Sequence, residues 1–230
     1  MSTASPDRAV FDRIAPRYDL VSGLMTLGMG DRWRRAAAEA ADATAGQRVL
    51  DAYTGTGDLA LLLADRVTRL GEVVGVDLSP EMIARARLKA TASGRECRFE
   101  VADCTALPFA SDWFDAATAS GGLRSLADPA PGVAELVRVV RPGGRMVILE
   151  VTPPARLRGA HARVLRFTTP LLGGALGGDP DAFRHMVATI GHVPAPQDMA
   201  AIMGDAGLLG VGWRTFAGGI ATLHHGVVAP

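Results

Sequence analysis

The sequence predicts a doubly wound α/β domain: a mostly parallel, seven-stranded sheet with a helical cap at its amino terminus and a helical insertion before its last two strands. Three observations predict this fold. Strand-like and helix-like segments alternate between residues 48 and 151, a glycine-rich turn follows the first strand-like segment, and two apolar runs flank a Gly-Gly pair near the carboxyl end. Such alternation is typical of parallel strands joined by right-handed crossovers.

The amino-terminal segment and the alternating core follow the periodicity of their apolar residues. From Asp7 to Ala43 apolar residues recur at helical spacing, with interruptions at Pro16 and at Gly28 to Gly30, which predicts a cap of short helices. Strands are then predicted at Arg48–Ala52, Glu72–Asp77, Arg98–Ala102, Phe114–Ala119 and Arg145–Val151. The helices between them are predicted at Asp58–Val67, Pro80–Ala92 and Pro131–Val140. Pro142-Gly143-Gly144 predicts a turn that reverses the chain sharply.

The alternation stops after Pro153-Pro154. From there to Met203, helical stretches interrupted by glycine pairs predict an insertion over the active face of the sheet. Val211–Phe216 and Ile220–His224, joined across Gly218-Gly219, predict a closing antiparallel hairpin. We therefore expect one domain, with a cap over residues 1–45, a cofactor-binding core over 46–152, a substrate-side insertion over 153–205 and a hairpin over 206–230.

Composition limits the function classes that the chain can belong to. The 230 residues are 48% hydrophobic and 21% charged, as expected of a globular domain. Basic and acidic residues number 24 each, so the chain lacks the cationic excess that nucleic-acid binding needs. Cys97 and Cys104 lack the spacing of a zinc site, so we expect reduced thiols and no metal. No apolar run suits a signal peptide or a membrane-spanning helix, so we expect a cytoplasmic protein.

The strongest local signal is the glycine turn after the first predicted strand. Beyond Asp51, Gly55 and Gly57 let the backbone approach a ligand that a Cβ atom would obstruct. Asp77 lies twenty residues beyond Gly57, at the end of the next strand, where a carboxylate can accept both hydroxyls of a ribose. The alternative is an ordinary turn with Asp77 as a helix N-cap. Together, these residues predict a site for a nucleoside-containing cofactor.

Two cofactors are compatible with this geometry. A nicotinamide dinucleotide is typically bound by Gly-X-Gly-X-X-Gly, but here no third glycine stands in register and acidic Asp51 and Asp58 flank the turn. Those carboxylates would repel a pyrophosphate and tolerate the cationic sulfonium and ammonium groups of S-adenosylmethionine. The pattern therefore favours S-adenosylmethionine.

A third element follows the third predicted strand, where Asp103 and Cys104 precede the apolar run Leu107-Pro108-Phe109. A short polar residue at a strand end can accept a hydrogen bond from the adenine amino group, while apolar neighbours enclose the ring. A helix cap is the alternative for Asp103. All three elements are expected at the carboxyl edge of the sheet, where open α/β sheets bind ligands.

Six segments of the sequence match the pattern of one known protein family: Phe11 to Asp19, Asp51 to Asp58, Ala106 to Phe109, Ser120 to Arg124, Leu136 to Arg145 and Ala217 to His224. In them the sequence resembles the C-methyltransferases of ubiquinone and menaquinone biosynthesis, over nearly its whole length. The resemblance implies a Rossmann-like class I methyltransferase fold, S-adenosylmethionine as cofactor, and C-methylation of a quinol such as demethylmenaquinol. A homodimer and a transient membrane contact are compatible with that lipid substrate.

The resemblance also implies contacts with the cofactor, at Thr56, Asp77, Asp103, Cys104 and Ser120. With the residues of the glycine turn, the candidate cofactor site comprises Asp51, Gly55, Thr56, Gly57, Asp77, Leu78, Asp103, Cys104 and Ser120. The chain departs from the family pattern at four places: Tyr53-Thr54 for smaller residues, Asp103-Cys104 for Asn-Ala, Gly121 for Phe and Ser125 for Asn. These departures bear on the methyl acceptor more than on the cofactor.

Catalysis of methyl transfer to a quinol requires alignment of the two reactants, exclusion of water and support for a developing oxyanion. Arg124 is the leading candidate for stabilising a quinolate oxygen, with an ion pair as its alternative role. Tyr18, with Asp19, is expected to close over the cofactor from the cap. His185 or His192 of the insertion could move a proton, although a structural or solvated histidine is the simpler reading.

Two other functions stay open on the sequence alone. The altered segment from Gly121 to Ser125 also suits a C- or O-methyltransferase of specialised metabolism that acts on a small aromatic compound or a polyketide. A protein that binds S-adenosylmethionine without transferring its methyl group is the other alternative, since a fold by itself does not establish turnover.

Overall fold

A computed structural model of the chain describes residues 6–26, 28–151, 168, 174, 179–189 and 192–230. The sequence predicts an insertion over residues 153–205, and its first part, to residue 178, lies almost entirely outside the described residues. Its later part contains the last two of the helices whose bounds are given below.

The strands form one seven-stranded sheet in the order β3-β2-β1-β4-β5-β7-β6. Their bounds are Arg48–Ala52 (β1), Glu72–Asp77 (β2), Arg98–Val101 (β3), Phe114–Ser120 (β4), Val140–Val151 (β5), Leu208–Phe216 (β6) and Ala221–Val228 (β7). Strands β1 to β5 pair in parallel, whereas β7 is antiparallel to both β5 and β6. The predicted doubly wound sheet with a closing hairpin is confirmed.

The described helices cover both faces of this sheet. Their bounds are Pro6–Ile14 (α1), Tyr18–Met25 (α2), Gly30–Ala40 (α3), Asp58–Val67 (α4), Pro80–Ser93 (α5), Ala130–Val139 (α6), Pro180–Thr189 (α7) and Pro196–Asp205 (α8). Val49 and Leu50, neighbours on β1, pack into different apolar clusters. Helices α3, α4 and α5 complete the first cluster, and α6 and α8 complete the second. Because helices cover both faces, the central strands β1, β2 and β4 are buried on both sides.

The segment around Pro142-Gly143-Gly144 corrects one prediction. It does not form the expected sharp turn, because α6 ends at Val139 and the chain enters β5 directly at Val140. Opposite Phe114 and Ala116 of β4, the register jumps from Val140 to Arg145, so the segment bulges out of the strand. Gly143 has a positive φ of 75°, which allows such a bulge at a position where a side chain would be strained.

The cap packs against the carboxyl side of the sheet through a third apolar cluster. Ile14 and Val21 of the cap lie against Met82 of α5 and Ala182 of α7, and all four are buried. Burial of such side chains holds the cap on the domain. The cap helices therefore lie next to the edge where β1 and β2 end.

Candidate functional site

A cavity lies at the carboxyl ends of β1, β2 and β4. Of the residues that the structure describes, it is lined by Arg8, Phe11, Tyr18, Tyr53, Gly55, Asp77, Leu78, Ser79, Met82, Asp103, Cys104, Ser120, Gly121, Gly122, Ser125 and Leu126. The chain winds outwards in opposite directions from β1 and β4, which are neighbours in the sheet. Open α/β sheets bind ligands at this topological switch point.

The glycine turn forms the floor of the cavity between β1 and α4. Gly57 has a φ of 85°, and a Cβ atom there would lie 2.9 Å from Cβ of Ala86, so close helix packing requires glycine. Gly55 lines the cavity, and no atom lies within 4 Å of where its Cβ would be. Of the two glycines, Gly55 is thus the one that leaves room for a ligand, whereas Gly57 serves packing.

Asp77 is held in place by the backbone at the end of β2. The N–H of Gly55 donates to its Oδ2 and the N–H of Ser79 donates to its Oδ1, each at a distance of 2.9 Å. Burial raises the pKa of this carboxyl, and the two N–H groups oppose that shift. The N-cap of α5 is Ser79, whose Oγ accepts from the N–H of Met82. Asp77 therefore lines the cavity without serving as that cap, and its oxygens keep lone pairs for a ligand.

Asp51 lies behind the cavity wall and anchors the turn. It is fully buried, and its oxygens accept from the hydroxyls of Thr54 at 2.6 Å and Thr118 at 2.7 Å. Burial raises the pKa of Asp51 to about 6. Asp51 is not among the described lining residues of the cavity, and its contacts support the turn from beneath.

Thr56 and Gly57 also lie outside the described lining. The hydroxyl of Thr56 donates to Oδ1 of Asp19 at 2.5 Å and accepts from Nζ of Lys89 at 2.9 Å. Its side chain thus faces the cap and α5. A contact of Thr56 with the cofactor stays a prediction.

Four further residues of the predicted cofactor site line the cavity: Leu78, Asp103, Cys104 and Ser120. Asp103 is exposed, and one of its oxygens, Oδ1, accepts from the N–H and hydroxyl of Thr105 at 2.8 and 2.7 Å. Cys104 is buried, and its burial raises the pKa of the thiol. An unreactive thiol packs like a small apolar side chain, which suits the wall of a ring-binding site.

Tyr53 is the wall residue whose importance the sequence did not reveal. Its φ is 55°, in the left-handed region, and its ring lies against Gly122, where a Cβ atom would be only 2.1 Å from Tyr53 Cγ. Its Oη lies 3.0 Å from where a Cβ of Gly132 would be. Among the described residues this buried hydroxyl has no hydrogen-bond partner. The large residue in the turn and the glycine after β4 are therefore a matched pair.

Arg124 lies buried beside the cavity, in an ion pair of the kind that the sequence left open as its alternative role. Its guanidinium is buried, with Nη1 3.6 Å from Oε2 of Glu150 and Nε donating to Oγ1 of Thr189 at 3.2 Å. Burial raises the pKa of Glu150 to about 6, and the charge of Arg124 opposes the shift. Glu150 Oε1 also accepts from the N–H of Leu123. Arg124 is absent from the described lining, so the structure favours the ion pair over direct contact with an acceptor oxygen.

The cap supplies the opposite wall through Arg8, Phe11 and Tyr18. Tyr18 is half-buried, and desolvation raises the pKa of its hydroxyl while the charge of Arg124 opposes that shift. Its neutral hydroxyl is thus a hydrogen-bond donor near neutral pH. His185 and His192 are exposed and are not among the described lining residues, so the structure gives no support to a proton-transfer role for either.

The described residues offer neither a metal site nor a membrane-spanning helix. They contain no group of three or more His, Cys, Asp and Glu residues that could hold a metal ion. Within the same part of the chain, every helix is too short or too polar to cross a membrane.

Comparison with known sequences gives consistent matches. Residues 3–228 match the ubiE/COQ5 methyltransferase family. A demethylmenaquinone methyltransferase of Thermus thermophilus is 44% identical over 221 residues, which cover 94% of this chain and 99% of the relative. A ubiquinone/menaquinone biosynthesis C-methyltransferase of Geobacter sulfurreducens is 38% identical, over 95% of this chain and 87% of the relative.

Solved structures of distant sequence share the fold. An S-adenosylmethionine-dependent methyltransferase of Thermotoga maritima superposes with a TM-score of 0.68 at 15% identity, over 96% of this chain and 99% of that one. A phosphoethanolamine N-methyltransferase of Haemonchus contortus gives 0.71 at 14% identity, over 100% of this chain and 62% of that one. At such identities the likeness concerns the fold alone.

Proposed function

The chain belongs to the ubiE/COQ5 methyltransferase family, and we propose that it transfers the methyl group of S-adenosylmethionine to a ring carbon of a reduced quinone such as demethylmenaquinol. The observation that carries the proposal is the cavity at the switch point, where Asp77 is fixed by two backbone N–H groups and faces a wall supplied by the cap.

The residues of the cavity fit the parts of the cofactor. The free lone pairs of Asp77 would accept the ribose hydroxyls, and the Oδ2 of Asp103 would accept from the adenine amino group. Leu78 and Leu126 offer apolar surface for the ring. When bound, the cofactor supplies a methyl group on a cationic sulfur. Carboxylates around the cavity suit that positive charge and disfavour a pyrophosphate.

The acceptor would lie between the loop after β4 and the cap. Gly121 and Gly122 line the cavity there with backbone alone, and Phe11 and Tyr18 of the cap also line it, so the bound acceptor would be shielded from water. A quinol carbon becomes nucleophilic as a ring hydroxyl loses its proton. Tyr18 would donate a hydrogen bond to that oxygen, which agrees with its raised pKa.

In this proposal the guanidinium that stabilises the developing oxyanion belongs to Arg8 and not to Arg124. Arg8 lies in the cavity lining and pairs only loosely with Asp12, at 3.8 Å. Arg124, by contrast, is committed to Glu150. We assign Arg8 the stabilisation of the quinolate oxygen, and Arg124 the positioning of the loop that carries Gly121. A Cβ atom at Gly121 would lie 2.9 Å from Nη1 of Arg124.

The test compares oxidation states of one acceptor. Methyl-labelled S-adenosylmethionine is incubated with the protein and either demethylmenaquinone or its chemically reduced form, alongside a panel of simple phenols. We expect label in the lipid only when the quinone is reduced. Transfer to phenols but not to the quinol would favour specialised metabolism. Tight cofactor binding without transfer to any acceptor would favour the non-methylating alternative.

We also propose a homodimer and a transient contact with the membrane. The membrane contact follows from the proposed substrate, because a lipid acceptor must leave the bilayer. Light scattering on the purified chain tests the first. Co-sedimentation with vesicles that contain demethylmenaquinone tests the second.

A further inference from the structure

A charged cluster lies outside the cavity, where the cap meets the glycine turn. Nζ of Lys89 donates to Oδ1 of Asp58 at 2.6 Å and to Oγ1 of Thr56 at 2.9 Å, and it forms an ion pair with Oδ2 of Asp19 at 2.7 Å. The hydroxyl of Thr56 in turn donates to Asp19. The ammonium group thus contacts an oxygen atom of each of these three side chains.

The cluster joins parts of the chain that are distant in sequence. Asp19 belongs to the cap helix α2, Thr56 and Asp58 to the turn and the start of α4, and Lys89 to α5. The side chain of Lys89 is 29% exposed, so the ammonium sits partly shielded between two carboxylates. Arg34 also pairs with Asp58, at 3.3 Å, so loss of the Lys89 charge would leave Asp58 with one cationic partner and Asp19 without this ion pair to α5.

Two residues of this cluster, Asp19 and Thr56, are each adjacent in sequence to a residue that lines the cavity. Tyr18, which lines the cavity, immediately precedes Asp19, and Gly55, which also lines it, immediately precedes Thr56. Fixing Asp19 against Thr56 therefore sets the distance between the two walls of the cavity.

We propose that Lys89 is a positioning residue for methyl transfer, which clamps the cap to the glycine turn and so holds Tyr18 over the bound cofactor. The proposal rests on the proposed function for the effect on methyl transfer. The clamp does not hold the domain together, because exposed and half-exposed ion pairs contribute little to global stability. Cap attachment is provided by the buried cluster of Ile14, Val21, Met82 and Ala182.

The experiment compares Lys89→Met with a matched control, Arg95→Met. Arg95 lies just beyond the end of α5 and makes two hydrogen bonds to Asp65, at 2.7 and 2.8 Å, away from the cavity. Release of S-adenosylhomocysteine is followed by stopped-flow displacement, and methyl transfer to demethylmenaquinol by single-turnover kinetics. Melting temperature is recorded for each variant.

We expect Lys89→Met to release S-adenosylhomocysteine on the order of 10-fold faster and to slow single-turnover transfer by about the same factor, because a misplaced cap loosens alignment. Lys89→Arg should recover part of both, since it keeps the charge with another donor geometry. Arg95→Met should change neither rate, and all variants should melt within a few degrees of the parent protein.

Release and transfer rates within twofold of the parent in Lys89→Met would overturn the proposal, as would equal losses in Arg95→Met. Asp19→Asn provides a second route: it should reproduce the faster release, and the double variant with Lys89→Met should be no worse than either alone. Additive losses would contradict the clamp. Product release needs no acceptor, so this readout stays decisive even if demethylmenaquinol is not methylated.

Discussion

Substituting Gly122→Ala adds one methyl group where the ring of Tyr53 already lies. The new Cβ atom would be 2.1 Å from Tyr53 Cγ and 2.2 Å from Tyr53 Cβ, so the whole Tyr53 side chain, including its Cβ, has to move by about an ångström or more. Gly122 has a φ of −108°, which alanine adopts without strain, so the expected effect is steric. Overpacking of this kind destabilises a protein by about 1–3 kcal/mol.

The partner substitution Tyr53→Gly makes room for that methyl group, because it removes both Cβ and Cγ of residue 53, whose φ of 55° suits glycine. In the Tyr53→Gly background, Gly122→Ala should therefore cost little, and a double-mutant cycle from urea unfolding should show coupling of at least about 1 kcal/mol. In the single Gly122→Ala variant the displaced ring should also enter the cavity and weaken binding of S-adenosylhomocysteine. Gly204→Ala is the control, because its Cβ would meet no atom within 4 Å. Additivity of the two substitutions within about 0.5 kcal/mol would refute the matched pair.

Three further outcomes are expected. Asp77→Asn should weaken S-adenosylmethionine binding by about 1.5–3 kcal/mol in calorimetry, because it removes charged acceptors, and unchanged affinity would exclude the ribose contact. In the parent protein, buried Asp51 keeps its proton between about pH 4 and pH 6, whereas the unfolded chain releases it. The parent should therefore lose stability relative to Asp51→Asn as pH rises through that window, by on the order of 2–3 kcal/mol in urea titrations, and a difference independent of pH would contradict the assignment. Arg124→Met should destabilise the fold by about 3–5 kcal/mol because it leaves Glu150 unpaired. Arg8→Met should instead slow single-turnover transfer without altering stability. The reverse pattern would assign the stabilisation of the oxyanion to Arg124.

Local patterns in the sequence are sufficient for the sheet and for the cavity's cofactor side. Asp77 and Asp103 each follow a strand, and β2 and β3 are parallel neighbours, so the two side chains necessarily reach the same edge. Element bounds were less accurate in the carboxyl-terminal half of the sheet. Strand β5 begins at Val140 instead of the predicted Arg145, because the chain bulges within the strand. Strand β6 begins at Leu208 instead of the predicted Val211, because the exposed residues of that strand do not alternate clearly.

Contacts between segments that are distant in the chain could not be predicted, because no local periodicity of apolar residues encodes them. Arg124 meets Glu150 only because β4 and β5 run in parallel and end side by side. The same is true of Tyr53 with Gly122 and of Asp19 with Lys89. Each of these pairs bears on the acceptor side or on the cap. The cofactor was therefore easier to predict than the residues that surround the methyl acceptor.

The position of the transferred methyl group tests the central claim most directly. Carbon-13-labelled S-adenosylmethionine is incubated with the protein and reduced demethylmenaquinone, and the product is analysed by NMR after reoxidation. The proposed function predicts a single labelled methyl group bonded to a quinone ring carbon, with the two ring oxygens unmodified. A labelled methyl ether would show that an oxygen is the nucleophile and would contradict the assignment of this cavity to C-methylation.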